Sequence, residues 1–219
     1  MSQEKYIAIG DIHGCARSLD ALLEKTRPYA DRTHVFIGDY IDRGPDSRGV
    51  IDRVRDFAQD HHCIFLRGNH EAMLLDAVRT GDRTLWLING GTETLESYRA
   101  ESTEELPDDL LQFISETKFW HNTPQYLFIH AGLDSDQPVE EQLSSPRIEH
   151  AALWERGHVH RPVVWEKTVV FGHTPVREPL IEDRKIAIDT GCVFTGNGFG
   201  KLTALLLPER TTIQQEYAD

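Results

Sequence analysis

Five short polar segments of the chain contain the residue types that bind divalent metals. Each segment places aspartate, histidine or asparagine beside or near glycine, in a loop that follows an apolar run. The segments are Gly10-Asp11-Ile12-His13-Gly14, Gly38-Asp39-Tyr40-Ile41-Asp42-Arg43-Gly44, Arg67-Gly68-Asn69-His70-Glu71, His130-Ala131-Gly132 and Gly172-His173-Thr174-Pro175. Carboxylate, imidazole and amide oxygen together suit manganese, iron or zinc, whereas a soft all-thiolate site would require cysteines. The pattern therefore predicts a metal centre.

Asp39 is the candidate for a ligand shared by two metal ions. A single aspartate bridges ions that lie about 3.5 to 4 Å apart, the separation at which a shared hydroxide attacks phosphorus. Each segment alone has a simpler interpretation, since Asn69 could cap a helix and His130 could merely end a strand. All five segments, in this order and each at the end of an apolar run, are hard to explain by chance.

The elements that must position these segments alternate in the first third of the chain. Apolar, β-branched runs predict strands at 6–10, 34–38 and 63–66, and helical patterns lie between them at 19–25 and 50–58. Strands that alternate with helices pair in parallel through right-handed crossovers. Ligands bind at the carboxyl ends of such strands, which is where the first three polar segments lie.

The remainder of the chain predicts a helical region and a second sheet. Residues 71–119 have a sequence pattern typical of helices and are expected to form a helical cap beside the site. The second sheet is expected to have mainly hairpin connections and one helix near 148–154, with 134–146 as the most loop-like stretch. Its strands are predicted at 126–130, 168–171, 185–188 and 202–206. Two sheets would then pack face to face with helices outside.

Composition limits the class of protein. With 219 residues and 39% hydrophobic residues, the chain is predicted to be a single domain over 1–219. The formal charge of -13 argues against nonspecific binding to nucleic acid or to an anionic membrane. No basic leader and no apolar stretch of about 20 residues is present, so a cytoplasmic location is expected. The three scattered cysteines are expected to be reduced thiols.

The motifs resemble those of the phosphoprotein phosphatases, a family within the calcineurin-like metallophosphoesterases. The resemblance covers the segments from Gly10 to Pro175 and continues through Ile188-Asp189-Thr190-Gly191-Cys192 and Gly200-Lys201-Leu202-Thr203-Ala204-Leu205. In size the chain is similar to the small bacterial and bacteriophage members. The resemblance implies an α/β fold, a two-sheet β-sandwich flanked by α-helices, and two divalent metal ions. Manganese is the metal expected, with zinc, iron, nickel and cobalt as alternatives.

The resemblance also implies a role for each residue of the segments. One ion would be held by Asp11, His13 and Asp39, and the other by Asp39, Asn69, His130 and His173. His70 would be the general acid, Asp42 the carboxylate that pairs with it, and Arg43 the arginine that clamps the phosphate. Arg156 is assigned as a second phosphate-binding arginine, with Arg147 and Arg161 as neighbouring alternatives.

The expected activity is hydrolysis of a phosphorylated protein or a small phosphate ester. The segments with Asp42 and Glu71 favour a serine/threonine protein phosphatase, with phosphotyrosine as a further substrate. The alternative is a symmetrical bis(5'-nucleosyl)-tetraphosphatase, whose best-known bacterial form lacks the aspartate that matches Asp42 and has aspartate in place of the glutamate that matches Glu71. A non-catalytic scaffold is disfavoured because every expected position is filled. The oligomeric state is left open, and a monomer is compatible with the sequence.

Four other residues are given simpler roles. Cys15 follows the first segment but has no adjacent base, so a packing role is expected. His158 and His160 form an alternating pair that is expected to lie in an exposed loop. Tyr40 could line the pocket or pack in the core, and the sequence does not choose between the two.

Overall fold

The computed structural model describes residues 4–219 and contains two five-stranded sheets. The first sheet has the order β10-β9-β1-β2-β3. Its strands are β1 (Tyr6–Ile9), β2 (Thr33–Phe36), β3 (Cys63–Phe65), β9 (Lys201–Leu207) and β10 (Thr211–Glu216). Strands β1, β2 and β3 pair in parallel, with α1 (Ala16–Thr26) and α2 (Ser47–Asp60) between them in the chain. The predicted parallel strands and both helices are confirmed.

The second sheet has the order β4-β5-β6-β8-β7. Its strands are β4 (Trp120–Asn122), β5 (Tyr126–Ile129), β6 (Thr168–Phe171), β7 (Leu180–Ile181) and β8 (Lys185–Ala187). The prediction of mainly hairpin connections was wrong, because β5, β6 and β8 pair in parallel and only the two edge pairs are antiparallel. The long connection from β5 to β6 contains α7 (Val139–Leu143) and α8 (Ile148–Trp154), and such a length permits a parallel crossover.

Two further local predictions were wrong. The run at 202–206 does not join the second sheet, because β9 pairs antiparallel with β1 and with β10 in the first sheet. An apolar run identifies a strand but not the strand beside it. The stretch 134–146, predicted as a loop, contains the short helix α7, whose glutamates and preceding Pro138 suit a first helical turn.

The predicted helical cap is confirmed and lies between β3 and β4. It consists of α3 (Asn69–Thr80), α4 (Thr84–Trp86), a kinked turn (Leu87–Gly91), α5 (Thr92–Tyr98) and α6 (Asp108–Glu116). Two 3-10 turns, Arg27–Tyr29 and Thr103–Glu105, complete the helical structure. Within residues 4–219, no helix is long and apolar enough to cross a membrane.

The two sheets pack face to face through one apolar cluster. Ala8 and Val35 of the first sheet and Phe128, Val170 and Ile186 of the second are fully buried in it. Side chains alternate between the faces of a strand, so the neighbouring residues of β1 point the other way, towards α1. The sandwich with flanking helices is confirmed. Because the core is shared by both sheets, we propose that the chain is one folding unit.

Candidate metal centre

The five polar segments meet at one edge of the sandwich. The backbone N–H groups of Ile12 and His13 both donate to the Asp39 carbonyl, at 3.0 and 2.8 Å. From the second sheet, the Gly172 N–H donates to the His130 carbonyl at 2.8 Å. These bonds join the loop after β1 to the loop after β2, and the loop after β5 to the loop after β6. Segments far apart in sequence are thereby held in one cluster.

Asp39 lies at the centre of this cluster. Its Oδ2 atom is 3.4 Å from His13 Nε2 and 3.5 Å from His130 Nε2. Two groups of side chains could each hold a metal ion, His13 with Asp39 and His70, and Asp39 with His130 and His173. Burial by itself would raise the pKa of Asp39. The nearby imidazoles, His130 foremost, lower that pKa by more than burial raises it. The net shift is therefore downward, and the carboxylate is ionised. Asp39 is common to both groups, as a bridging ligand must be.

Two of the histidines are oriented by backbone carbonyls. His13 Nδ1 is 3.0 Å from the Ile41 carbonyl oxygen, and His130 Nδ1 is 3.0 Å from that of Ile37. Each Nδ1 must therefore carry the proton, which leaves Nε2 unprotonated beside Asp39, with a lone pair that a metal ion could accept. Burial lowers the pKa of His13 to about 3. The neutral imidazole is the form that coordinates a metal.

Asp11, Asn69 and His173 complete the predicted ligand set. Asn69 Oδ1 and His173 Nδ1 lie 3.0 and 3.2 Å from His130 Nε2. Asp11 belongs to neither group of three, yet its Oδ2 accepts the His173 N–H at 3.0 Å. Burial also lowers the pKa of His173, to about 2. All six predicted ligands are thus brought together, and each is at most 5% exposed.

The cluster fits divalent metal ions on the evidence of its own polar atoms. Asp11 Oδ1 and His173 Nε2 are buried and have no hydrogen-bond partner among residues 4–219. A buried polar atom without a partner is costly, and coordination to a cation would satisfy a carboxylate oxygen or an unprotonated imidazole nitrogen. The donors are oxygens and imidazole nitrogens, the mixture that borderline divalent metals accept.

His70 and Asp42 form a fully buried pair beside the ligands. His70 Nδ1 is 2.7 Å from Asp42 Oδ2, and both side chains are 0% exposed. Burial alone would lower the pKa of His70, but the carboxylates of Asp39 and Asp42 outweigh it and raise that pKa. The pairing leaves Nε2 of His70 free to act as a proton donor.

The carboxylate of Asp42 is held by two residues that the sequence analysis did not identify. Trp86 donates its indole N–H to both oxygens at 3.0 Å, and Thr94 donates its hydroxyl to Oδ1 at 2.6 Å. Both residues come from the helical cap. The cap therefore does more than cover the site, since it fixes the partner of His70. No local pattern links Trp86 or Thr94 to Asp42.

Glu71 is a second residue whose role the sequence analysis missed. Its carboxylate accepts the backbone N–H groups of Asp39 and Gly68 through Oε2, and that of Tyr40 through Oε1, each at 2.9 Å. It is 0% exposed. Glu71 thus ties the loop after β3 to the loop that carries Asp39. Its position in the third segment was noted, but only as a motif residue.

Asp189 is a further buried carboxyl group at the centre. It is 3% exposed, and its Oδ1 accepts the Gly191 N–H at 2.9 Å. Burial and the charge of Asp39 raise its pKa, and its own charge contributes to the raised pKa of Asp11. The sequence analysis included the segment around Asp189 in the family resemblance but assigned no role to Asp189. That resemblance was the signal that could have identified this residue.

Backbone strain is concentrated in the same loops. His13, Asp39, Asp42, Arg43 and His173 all have positive φ, between 47° and 71°. For residues other than glycine this conformation costs energy, of order 1–3 kcal/mol each, and it persists only where the surroundings impose it. The contacts with Glu71 and the neighbouring carbonyls supply that constraint.

The two predicted arginines differ in their surroundings. Arg43 is partly buried and its Nη1 is 2.9 Å from His13 Nε2. Arg156 is exposed, and its charge contributes to lowering the pKa of His130 and of His173. Of the alternatives, Arg161 has its carbonyl bonded to Lys185, and Arg147 lines a separate cavity of about 240 Å³. The role of Arg156 as the second phosphate-binding arginine stays a prediction.

The remaining predictions concern residues outside the cluster. Cys15 is buried, consistent with packing, and Tyr40 is buried with its hydroxyl donating to the Leu66 carbonyl at 2.8 Å. The prediction of an exposed loop holds for His160 but was wrong for His158, which is 0% exposed. The His158 ring packs on Phe171 and fills the space beside Gly132, where a side chain would clash with it.

Comparison with known proteins agrees with this geometry. The family model described as calcineurin-like phosphoesterase matches residues 5–196. A protein of Salmonella typhimurium named serine/threonine-protein phosphatase 1 is 35% identical, over 86% of this chain and 87% of its own length. A protein of Anoxybacillus flavithermus named bis(5'-nucleosyl)-tetraphosphatase PrpE (asymmetrical) is 31% identical, over 95% of this chain and 92% of its own. A crystal structure described as a putative diadenosine tetraphosphatase superposes with a TM-score of 0.69 at 26% identity, covering 99% of this chain and 95% of that one.

Proposed function

Because the chain belongs to the calcineurin-like phosphoesterase family and is a hydrolytic metallophosphoesterase, we propose that it is a serine/threonine protein phosphatase. In this proposal the enzyme hydrolyses a phosphate monoester by direct attack of water-derived hydroxide on phosphorus. The observation that carries it is the buried pair of His70 and Asp42 beside the shared ligand Asp39. A leaving alkoxide needs a proton, and this pair is built to supply one.

The proposed metal ligands are the six buried residues of the cluster. Asp11, His13 and Asp39 would hold one ion, and Asp39, Asn69, His130 and His173 the other. When bound, two divalent ions make hydroxide available at neutral pH and screen the charge of the phosphate. Manganese is the ion we propose, on the basis of the oxygen and imidazole donors.

The side chains of the chain itself would bind the phosphate and move the proton. The planar guanidinium of Arg43 binds two phosphate oxygens at once and stabilises the charge that develops on them, with Arg156 as a second cation. His70 gives the proton on Nε2 to the oxygen of the departing alcohol. Asp42 accepts the Nδ1–H and so keeps the imidazole protonated and correctly turned. No covalent phosphoenzyme is needed.

A dinucleoside tetraphosphatase is the second candidate, and one observation favours it. Several similar proteins that carry the asymmetrical bis(5'-nucleosyl)-tetraphosphatase name are 28–32% identical over 92–96% of this chain. The sequence-based alternative was the symmetrical enzyme. The two cleavage patterns give different products from diadenosine tetraphosphate, AMP with ATP for the asymmetrical cut and two ADP for the symmetrical one.

The test compares two substrates on one preparation. Metal-stripped protein and manganese-reconstituted protein are assayed on a phosphoserine or phosphothreonine peptide and on diadenosine tetraphosphate, with nucleotide products separated by chromatography. We expect manganese-dependent phosphate release from the peptide at a kcat/KM well above that for the dinucleotide. The reverse order would replace the protein phosphatase with the tetraphosphatase, and the nucleotides formed would identify the cut.

A further inference from the structure

The helix α1 follows directly on the loop that carries Asp11 and His13, and its first turn has no cap of its own. Cys15 is the residue before its first turn, and the Cys15 side chain makes no capping hydrogen bond. The first turn also contains no acidic residue. The first N–H groups of a helix have no partner within the helix and carry a partial positive charge. Those of α1 must therefore be satisfied from another part of the chain.

Asp219 supplies this cap from the segment that follows β10. Its Oδ1 accepts the Arg17 N–H at 2.7 Å, and its Oδ2 accepts the Ser18 N–H at 3.0 Å and the Ser18 hydroxyl at 2.6 Å. The Ala218 N–H in turn donates to the Ser18 hydroxyl oxygen at 3.0 Å. A carboxylate at this position satisfies unpaired N–H groups and is favoured at the positive end of the helix. Both oxygens of Asp219 are thus used in the cap, which is 201 positions from Ser18 along the chain.

A short strained turn connects the capped end of α1 to the metal ligands. His13 and Gly14 have φ of 47° and 63°, a conformation that costs energy at His13 and persists only where the surroundings impose it. Cys15 binds back onto this turn, since its N–H donates to the Ile12 carbonyl at 3.2 Å and its thiol to the His13 carbonyl at 3.4 Å. The Cys15 carbonyl accepts the Leu19 N–H of α1 at 3.0 Å. A movement of α1 would therefore be transmitted to His13 through Cys15.

The segment that carries Asp219 is itself anchored beside the metal centre. The Tyr217 N–H donates to the Gly200 carbonyl at 2.8 Å, and the Gly200 N–H donates to the Gly191 carbonyl at 3.0 Å. The Gly191 N–H is bound by the buried carboxylate of Asp189. The segment is thus fixed at two points, which allows it to hold α1 in place.

We propose that Asp219 is a positioning residue for the metal ion that Asp11, His13 and Asp39 would hold. By capping α1, it fixes the turn that places His13 beside Asp39. This inference rests on the metal ligands given under the proposed function, and it assigns Asp219 no contact with metal or substrate. The affinity for the second ion should not depend on Asp219, because the ligands of that ion other than Asp39 lie on loops that α1 does not follow.

The expected effect is partial, because the loop has a second anchor. The Gly14 N–H donates to the Tyr40 carbonyl at 2.9 Å, and the Gly14 carbonyl accepts the Asp46 N–H at 2.9 Å. Loss of a group bonded directly to a metal ligand lowers metal affinity about 10–100-fold. Asp219 acts one step further away, through α1, so we expect a loss of about fivefold, below that range.

Glu166 offers a matched control, because it makes the same kind of cap on another helix. Its Oε2 accepts the Val139 N–H at 2.7 Å and its Oε1 accepts the Glu140 N–H at 2.8 Å, at the start of α7. The loop that carries a proposed ligand does not lead directly into α7, as it does into α1. Removal of either cap should destabilise the fold to a similar extent, whereas only removal of Asp219 should change metal binding.

The experiment measures the affinity for manganese. Isothermal titration calorimetry on metal-stripped protein gives the Kd of each ion for wild type, Asp219→Ala, Asp219→Glu and Glu166→Ala. We expect Asp219→Ala to raise one of the two Kd values about fivefold and to leave the other unchanged. Asp219→Glu keeps the carboxylate and should restore the affinity, and Glu166→Ala should change neither Kd. Hydrogen exchange of residues 11–18 in the metal-free protein should rise for Asp219→Ala alone.

Four outcomes would overturn the assignment. Unchanged Kd values for Asp219→Ala, with faster exchange only within α1, would mean that the cap stabilises the helix and positions no ligand. An equal loss in Glu166→Ala would mean that metal affinity follows overall stability. An equal loss at both ions would remove the link to the loop of His13, and a wild type that bound no manganese would refute the ligands as well. If the wild type bound manganese yet hydrolysed no phosphate ester, the proposed function would fail while the comparison of the two caps still tested Asp219.

Discussion

The ligand cluster and the rim of the site hold their side chains in different ways. The ligands are at most 5% exposed and are fixed by carbonyls, by Glu71 or by one another. The rim consists of Arg43 and the side chains near the cluster that solvent reaches: Phe194, whose ring contacts Arg43, is 41% exposed, and Arg156 is also exposed. Burial makes a change in the cluster costly for metal binding and folding alike, whereas a rim residue can change with little effect on stability. The difference indicates that the chemistry is fixed in the cluster and the choice of substrate lies on the rim.

The strongest test of the cluster is Asp39→Asn. Because Asp39 belongs to both candidate groups, the loss of its charge should lower the affinity for both ions. The loss should exceed the roughly 10–100-fold that follows from mutating a residue that only supports a ligand. Turnover should fall to background. Metal content by mass spectrometry after dialysis, together with the rate, checks this. A variant that still holds two ions and turns over near the normal rate would show that Asp39 is not the bridge.

His70→Asn should cause the next largest loss without removing the metals. General acid catalysis contributes about 10²–10⁴-fold, so kcat on a phosphoserine peptide should fall within that range. The loss should be smaller on p-nitrophenyl phosphate, whose leaving group needs no proton. Metal content is measured in parallel and should be unchanged. Equal losses on the two substrates would remove His70 from the acid role.

Glu71→Gln tests whether metal binding depends on a residue that holds the loops of the cluster in place but is not itself a metal ligand. Both oxygens of Glu71 accept N–H groups, from Asp39, Tyr40 and Gly68. The amide replaces one of these oxygens with an NH2 donor, so metal affinity should fall about 10–100-fold. Isothermal titration calorimetry with manganese measures this affinity. Glu141→Gln, at an exposed position, is the matched control. An affinity equal to that of the control would refute the supporting role.

Arg156→Ala should have the smallest effect and should separate the rim from the cluster. Loss of one charge-assisted contact with phosphate should lower kcat/KM about tenfold. The free energy of unfolding should change by less than about 0.5 kcal/mol, because the side chain is exposed. Arg147→Ala and Arg161→Ala are the comparisons. If either lowered kcat/KM more than Arg156→Ala, the second phosphate-binding arginine would be reassigned to it.

Much of the site could be predicted because its information is local. Each ligand follows an apolar run within a few residues, so the pattern that predicts β1, β2 or β3 also places Asp11, Asp39 and Asn69 at a strand end. The alternation of strands and helices in the first third determines parallel pairing, which brings those ends to one edge. Residue type and short spacing are therefore sufficient to bring these candidate ligands to one edge and to predict the three parallel strands of the first sheet.

The supporting contacts of the site and the remaining strand pairings depend on which distant segments of the chain meet. Only the tertiary structure determines those contacts. Glu71 reaches Asp39 across 32 positions and Trp86 reaches Asp42 across 44. β9 belongs beside β1, almost 200 residues away, and His158 is buried because it fills the space beside Gly132. An apolar or polar pattern shows that a group will be buried or paired, but the partner is set by packing between segments, which neighbouring residues in the chain do not encode.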